Sequence, residues 1–440
     1  MRGLRHPTIL SIAVLISTAA CGQSESQTQG VGYGPDPALP APTRTLLPTV
    51  KVAPVNRWAP GETPKAPAGF QVTALASGLD HPRWLLVLPN GDVLVAESNA
   101  PAKPKKKGFD IRAWAEQLIM TKAGAKTPSA NRITLLRDAD GDGVAELKTP
   151  FLTGLNSPFG MALVGDTLYV ANTDAVVAFP YATGATSITA PARKVADLPA
   201  GPINHHWTKS LIASPDGSKL YATVGSNSNV GENGMENEER RAAILEIDPA
   251  TGASRVFASG LRNPNGMGWN PNGGELWTAV NERDELGNDL VPDYMTSVKD
   301  GGFYGWPYSY FGQTVDKRVK PERPDLVAKA LAPDYALGAH TASLGLTFYE
   351  GASFPASYQG GIFIGQHGSW NRKPVSGYKV VFIPFASGKP AGPPQDFLTG
   401  FLDGEGQAQG RPVGVVVDKV GALLVADDVG NVIWRVAAAR

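Results

Sequence analysis

One phrase recurs along most of this chain and limits what it can fold into. It is a short strand, a Gly-Leu or similar pair, a polar residue near a Pro or Gly, an apolar strand, a turn and another strand. Copies begin at Ala74 (ALASGLDHPRWLLVLPNGDVLVAES), Phe151 (FLTGLNSPFGMALVGDTLYVAN), Ile203, Phe257, Gly338 and Phe397. The two core strands alternate apolar residues around Asn-Gly, Asp-Gly or a related turn, which is the pattern of a β-hairpin. Six copies, each able to form about four strands, imply an all-β, six-bladed β-propeller with short helical or loop insertions. A stacked β-solenoid is the alternative, but the irregular spacing and long insertions suit blades better. Phe70–Leu75 are expected to close the ring by pairing near Val432–Val436.

The chain has 440 residues, 50 of them Gly and 37 Pro, which suits many short strands joined by turns. Forty Lys+Arg against 40 Asp+Glu give no net charge, so there is no basic surface to displace counterions from a nucleic acid. A single Cys excludes a disulfide framework and any Cys-rich metal centre.

Residues 1–21 read as an address. Arg2 and Arg5 precede the apolar run Ile9–Ile16, and Thr18-Ala19-Ala20 lead into Cys21. The run is shorter than the ~20 residues a membrane span needs. Cys21 at the cleavage point is the arrangement of a bacterial lipoprotein, the alternative being an ordinary signal cut nearby. Membrane contact is therefore expected only through the lipid. Gly22 after Cys21 points towards an outer-membrane, periplasmic location. Residues 22–65, rich in Gln, Ser, Gly, Pro and Thr, read as a flexible tether, with the propeller over 66–440. Two insertions interrupt the repeat: 100–131, with KPKKKG and the helix-like RAWAEQLIM, and 285–335, with DGGFYGWPYSYFG, expected to cover one end of the propeller.

Counting back ten residues, to within one, from each core turn reaches Asp80, Asn156, His206, Arg262, His340 and Arg411. In a propeller this residue precedes the innermost strand, so the six should meet around the mouth of the central channel, where convergent polar groups mark a ligand site. Turn capping could account for Asp80 and Asn156; two His and two Arg need more. A His can act as a general base, and arginines supply planar donors for carboxylates or a developing oxyanion. His205 beside His206 reads as structural. Separately, Asp138, Asp140, Asp142 and Glu146 stand at the alternating spacing of a Ca²⁺ loop, with Thr149 where an EF-hand needs Glu; the alternative is a solvated turn. No dinucleotide fingerprint, Walker loop, GxSxG elbow or HExxH is placed to work.

Together DHPRWLLVLPNGDVLVAES, LLRDADGDGVAE, SPFGMAL, RNPNGMGWNP, NERDELGNDLVPDY, GGFYGWP, QHGSWNR and GRPVGV resemble the sorbosone dehydrogenase group. That group sits within the soluble aldose (glucose/sorbosone) dehydrogenases that use pyrroloquinoline quinone (PQQ), and the likeness runs from Phe70 to the end. It implies a six-bladed propeller with PQQ and Ca²⁺ at the channel mouth. By motif, His206 matches the general base, Arg262 and Asn263 the pair beside the quinone carbonyl, and Arg411 an arginine on the cofactor's carboxylates. A second arginine of the motif is replaced by Val413, and His367 or Arg372 stands in place of an expected lysine. Asn281-Glu282-Arg283-Asp284 falls where relatives bind catalytic Ca²⁺ through backbone carbonyls; whether Glu282 or Asp284 ligates directly stays open. The implied reaction is hydride transfer from an aldose or hydrated aldehyde sugar to the quinone, with electrons passing to a respiratory or dye-type acceptor. The rivals are a propeller lactonase or hydrolase and a non-catalytic binding propeller.

Overall fold

The computed structural model describes residues 31–43, 51–102 and 127–439. The signal segment with Cys21, and the KPKKKG and RAWAEQLIM stretches, lie outside them. Among the described residues, six antiparallel blades, five of four strands and one with a fifth short edge strand, account for nearly all regular structure. Their innermost strands are Pro82–Val87, Met161–Val164, Leu211–Ala213, Pro264–Trp269, Ser343–Phe348 and Pro412–Val417. Each neighbours the next, and the last neighbours the first, so they line one axis. The expectation of a propeller holds.

The ring closes where the sequence placed the closure. Phe70–Ser77 pairs antiparallel with Val432–Ala438 in the last blade, Val72 opposite Val436 and Ser77 opposite Val432. Closure this way knits the first strand of the propeller onto the outside of the last blade and ties the two ends of the ring together.

The second strand of each blade explains the architecture physically. Val93–Glu97, Leu220–Val224, Leu276–Val280, Ile362–Gln366 and Leu423–Asp427 are buried at every position. Both faces are covered because each blade packs on two neighbours. Six apolar clusters fill the six gaps in rotation. Leu94, Ile133 and Met161 join blades one and two; Ala171, Leu211 and Leu245 join two and three; Ile244, Met267 and Tyr294 join three and four. Trp277, Leu346 and Ile364 join four and five, Phe363, Phe382 and Val425 five and six, and Leu75, Val95 and Leu424 six and one. A buried Leu, Val, Ile or Phe contributes about 1.5–3 kcal/mol each, so the gaps carry most of the stability.

Near the axis the inner strands touch backbone to backbone, and glycine makes this possible. A Cβ on Gly160 would lie 2.1 Å from the Leu211 nitrogen, and one on Gly345 would lie 2.3 Å from the Val413 carbonyl oxygen.

One expectation changes. The tether does not extend through residue 65: Tyr33–Gly34 pairs with Tyr335–Ala339, and Ala53 is 1% exposed within the core between blades five and six. Tyr33, Ala53 and Trp58 bring apolar surface to this Pro-rich stretch, which composition alone conceals. The 285–335 insertion holds a small hairpin, Ser309–Tyr310 with Thr314–Val315, and the helical turn Pro324–Val327. Its GGFYGWP part lies along the outer strand of blade three through Gly301, Tyr304 and Trp306.

Candidate active site

The mouth of the channel is floored by apolar rings and walled by charge. Phe159, Leu344 and Val413 are buried together, with Trp84 and Trp207 packed against them. The Phe159 ring lies 4.7 Å from Trp84 and 6.0 Å from Trp207, centroid to centroid. Trp84, Leu344 and Val413 stand in the first three positions of their inner strands, and Phe159 and Trp207 just before theirs, next to the loops that carry the polar groups.

Four of the six register positions, His206, Arg262, His340 and Arg411, join the polar wall. Asp80 instead pairs with Arg132 and is largely exposed, and Asn156 is an exposed loop residue.

His206 precedes the inner strand of blade three. Its Nδ1 lies 2.7 Å from the Ser226 carbonyl oxygen, so Nδ1–H donates and Nε2 keeps its lone pair. Burial first, then the charges of His205, Arg262 and Arg241, hold the imidazole well below its usual range, so it is neutral. His205 is exposed and its ring stands edge-on to His206 at 4.7 Å.

Arg262 and Asn263 precede the inner strand of blade four, and Ser226 N–H donates to the Arg262 carbonyl at 2.8 Å. A Cβ on Gly225 would sit 2.3 Å from Asn263 Oδ1 and 2.5 Å from His206 Cβ, so this glycine lets the two functional groups flank one backbone. Arg262 is 4% exposed and gives N–H bonds to Glu282 O (2.7 Å), Asn229 Oδ1 (3.1 Å) and Asp284 Oδ2 (3.3 Å). Asn263 Oδ1 is buried without a partner among the described residues.

Asp284 gathers the neighbouring cations. It accepts from Arg262, from Asn371 Nδ2 at 2.7 Å, and pairs with His340 Nδ1 at 3.3 Å. Burial would raise this carboxyl, but these partners outweigh it and hold it down at about 2. Glu282 is the opposite case: burial pushes its carboxyl up to about 7, and Oε1 has no partner among the described residues. Arg283 is 1% exposed and turns away to Asp316 (2.5 Å).

The expected metal set at 282–284 does not fit these contacts. The carbonyl oxygens of Asn281 and Glu282 accept from Arg262, and that of Asp284 from Arg283 and Asn229. Guanidinium and amide donors stand where a cation bound through the backbone would. Sequence reading missed this because it saw charges along the segment but not which way they turn.

Blade six supplies a second cluster. Arg411 is 4% exposed, stands 5.0 Å over the Tyr378 ring, and its Nε has no partner among the described residues. His367 contacts Asp428 at 2.9 Å. Asp428 also takes Arg83 at 2.5 Å and His81 at 3.4 Å. These partners outweigh burial and hold the Asp428 carboxyl far below its ordinary range. Arg83 extends over Phe159 and Trp207, and its Nε is likewise unpartnered among the described residues. Arg372 does not join this group; it is spent on Asn288 O, Pro374 O and Asp289.

Arg83, Ser226, Asn229 and Asp428 were not foreseen. The signal was present: every second strand runs into polar residues, as in LVAESN, YVANTD, ATVGSNSN, TAVNERD, IGQH and VADD. These exits lie at the same end as the lead-in loops, and only the latter were aligned.

Away from the channel, Asp138, Asp140, Asp142 and Glu146 are brought together, with candidate ligand oxygens within 4.8 Å of one another. Asp138 also caps its own turn, accepting from Gly141 and Gly143 N–H at 2.8 Å each.

A family model described as glucose/sorbosone dehydrogenase matches residues 169–369, and one described as TrAA12-like matches 321–439. An uncharacterized protein of Borreliella burgdorferi is 32% identical over 241 residues, 54% of this chain and 62% of that protein. A PQQ-dependent pyranose dehydrogenase of Coprinopsis cinerea is 26% identical over 290 residues, 52% of this chain and 39% of the relative. The chain thus spans less than two thirds of either relative. The holo form of the pyranose dehydrogenase PQQ domain from Coprinopsis cinerea superimposes with a TM-score of 0.69 at 20% identity, covering 88% of this chain and all of that one. These findings bear out the resemblance carried by the motifs.

Proposed function

We propose, from the premise that residues 169–369 belong to the glucose/sorbosone dehydrogenase family, that this chain is a PQQ-dependent sugar dehydrogenase acting on an aldose or a sorbosone-like hydrated aldehyde. The observation that carries the reading is His206. It is neutral, its tautomer is fixed by Ser226, and the charge of Arg262 acts on it, the pair a general base and an electrophilic partner require.

The residues fit the cofactor. Arg411 Nε and Arg83 Nε are buried N–H donors without a partner among the described residues, around an apolar floor. Such atoms are costly unless something satisfies them. A planar polyacid with ring carbonyls would do so, held by Arg411 with Arg83 and His367 nearby. When bound, the quinone supplies the hydride acceptor, which this protein's side chains cannot be. The chain supplies the rest. His206 Nε2 takes the substrate hydroxyl proton, and its Nδ1–H donates throughout to Ser226. Arg262, held by Asp284 and the Glu282 carbonyl, places fixed positive charge beside Asn263. Phe159 and the tryptophans keep water from the floor.

The same contacts weigh against a metal-assisted lactonase. Asp284 and Asp428 are each engaged by several protein donors, so neither is a spare metal ligand. A binding propeller would not need His206 and Arg262 coupled in this way.

Calcium, in this reading, belongs to the 138–146 loop. The site of action is the periplasm, with Cys21 lipidated and a respiratory acceptor taking the electrons; Cys21→Ser should then release the protein from the membrane fraction.

The test is direct. Purified apo-protein is titrated with PQQ and followed by absorbance, then assayed by dye reduction with a panel of aldoses and sorbosone. Absence of quinone binding would end the dehydrogenase reading.

A further inference from the structure

We infer that residues 51–65, the stretch whose composition suggests a tether, form a strap that positions Arg411 and thereby sets how firmly the channel mouth holds an anionic ligand.

The strap is the hydrogen-bonding partner of the loop that delivers Arg411. Lys65 and Thr399 exchange both backbone bonds, at 2.8 and 2.9 Å. Asn56 N–H donates to the Ala408 carbonyl at 2.8 Å, and Ala408 N–H returns a bond to Pro54 at 2.7 Å. Residues 399–408 therefore have this strap in place of a neighbouring sheet strand. Further along, Lys51 N–H donates to the Trp370 carbonyl at 2.9 Å, tying the strap to the segment that carries His367 and Asn371.

Two contacts reach Arg411 itself. The Ala53 carbonyl, with Ala53 buried, accepts from its guanidinium at 3.5 Å, the long end of a hydrogen bond. The stronger route runs through Asp427. This carboxylate is 0% exposed and accepts from Arg411 N–H at 2.8 Å, Gly430 N–H at 2.8 Å, Trp434 Nε1–H at 3.1 Å and Trp58 Nε1–H at 2.7 Å. Trp58 comes from the strap and is wedged against Phe401 and Trp434, ring centroids 5.5 and 5.3 Å away. Its indole N–H thus fixes the carboxylate that fixes the Arg411 backbone. The arginine's Nε is left unpartnered, which is where a ligand carboxylate gains most from exact placement.

The ligand in question is the quinone of the proposed function, so the affinity arm rests on that reading. Trp58→Phe removes the N–H while keeping ring packing. Equilibrium dialysis of PQQ against the mature chain should show a dissociation constant raised about tenfold. Asp427→Asn should weaken retention similarly. The cycle with Arg411→Ala separates positioning from general structure: adding Trp58→Phe to Arg411→Ala should cost nothing more. Unchanged affinity, or effects that add in full, would overturn the inference. A second arm needs no quinone. Amide exchange in the apo-protein should show Arg411 N–H losing protection in Trp58→Phe, and undiminished protection there would overturn it equally. Failure of the wild type to bind PQQ would instead remove the dehydrogenase reading, leaving the exchange arm to decide the strap.

Discussion

His206 Nδ1 and the Ser226 carbonyl oxygen are 2.7 Å apart, and a carbonyl can only accept, so this contact assigns the tautomer and frees Nε2 as a base. Removing the base should leave the cofactor site standing. His206→Ala is expected to bind PQQ with near wild-type affinity while kcat falls by about 10²–10⁴-fold, the usual worth of a positioned base. Steady-state kinetics beside a quinone titration checks this; parallel loss of both would make His206 structural.

The same group predicts the pH profile. Burial and the neighbouring cations depress its pKa, so the working neutral form is already complete at neutral pH. Activity governed by His206 should be flat through neutrality and fall only as pH drops below the ordinary histidine range of about 6.5. An inflection of kcat/KM on the alkaline side of that value would assign the base elsewhere.

The fold was open to sequence because its driving pattern is local and repeated. Alternating apolar pairs around Asn-Gly and Asp-Gly turns mark each hairpin, and the seam of Phe70–Ser77 on the last blade follows from topology. His206, Arg262, His340 and Arg411 were reachable by register for the same reason. What sequence could not show was side-chain direction. Asp284 reads as a metal ligand in one dimension, yet in three it is the shared acceptor of Arg262, His340 and Asn371. The 51–65 stretch misled differently: its backbone bonds go to residues more than three hundred positions away, and no local periodicity marks such pairing.

Gly225 predicts a catalytic defect from a residue with no functional group. A methyl there would meet Asn263 Oδ1 at 2.3 Å and His206 Cβ at 2.5 Å, both closer than real contacts allow. Gly225→Ala must push the two groups apart, and a displacement approaching 1 Å costs on the order of 10²-fold in rate. Turnover should fall far more than thermal stability. A variant that melts early but turns over normally when folded would show the close approach to be a packing matter alone.

Asp284→Asn should be destabilising as well as inactivating. It removes the charge balancing Arg262 and His340, and stripping one partner from a buried ion pair costs about 3–5 kcal/mol. Denaturant unfolding gives the stability loss. If calcium rather than these cations were the partner of Asp284, added Ca²⁺ would stabilise the wild type and not the variant. The occupied carbonyls of Asn281, Glu282 and Asp284 predict no such difference.

The 138–146 loop makes the complementary prediction. Four carboxylates with oxygens within 4.8 Å of one another repel unless a cation lies among them. Calcium should therefore raise the melting temperature of the wild type. Asp142→Asn, whose Oδ1 accepts the Val144 N–H at 2.7 Å, should abolish that rise with little change in the metal-free melting point. The loop joins the third and fourth strands of blade one at an exposed turn, at the end opposite the lead-in loops, so quinone affinity should be unchanged in the same variant. A calcium effect that survives Asp142→Asn but disappears with Asp284→Asn would move the metal to the channel mouth and reverse the assignment made for both loops.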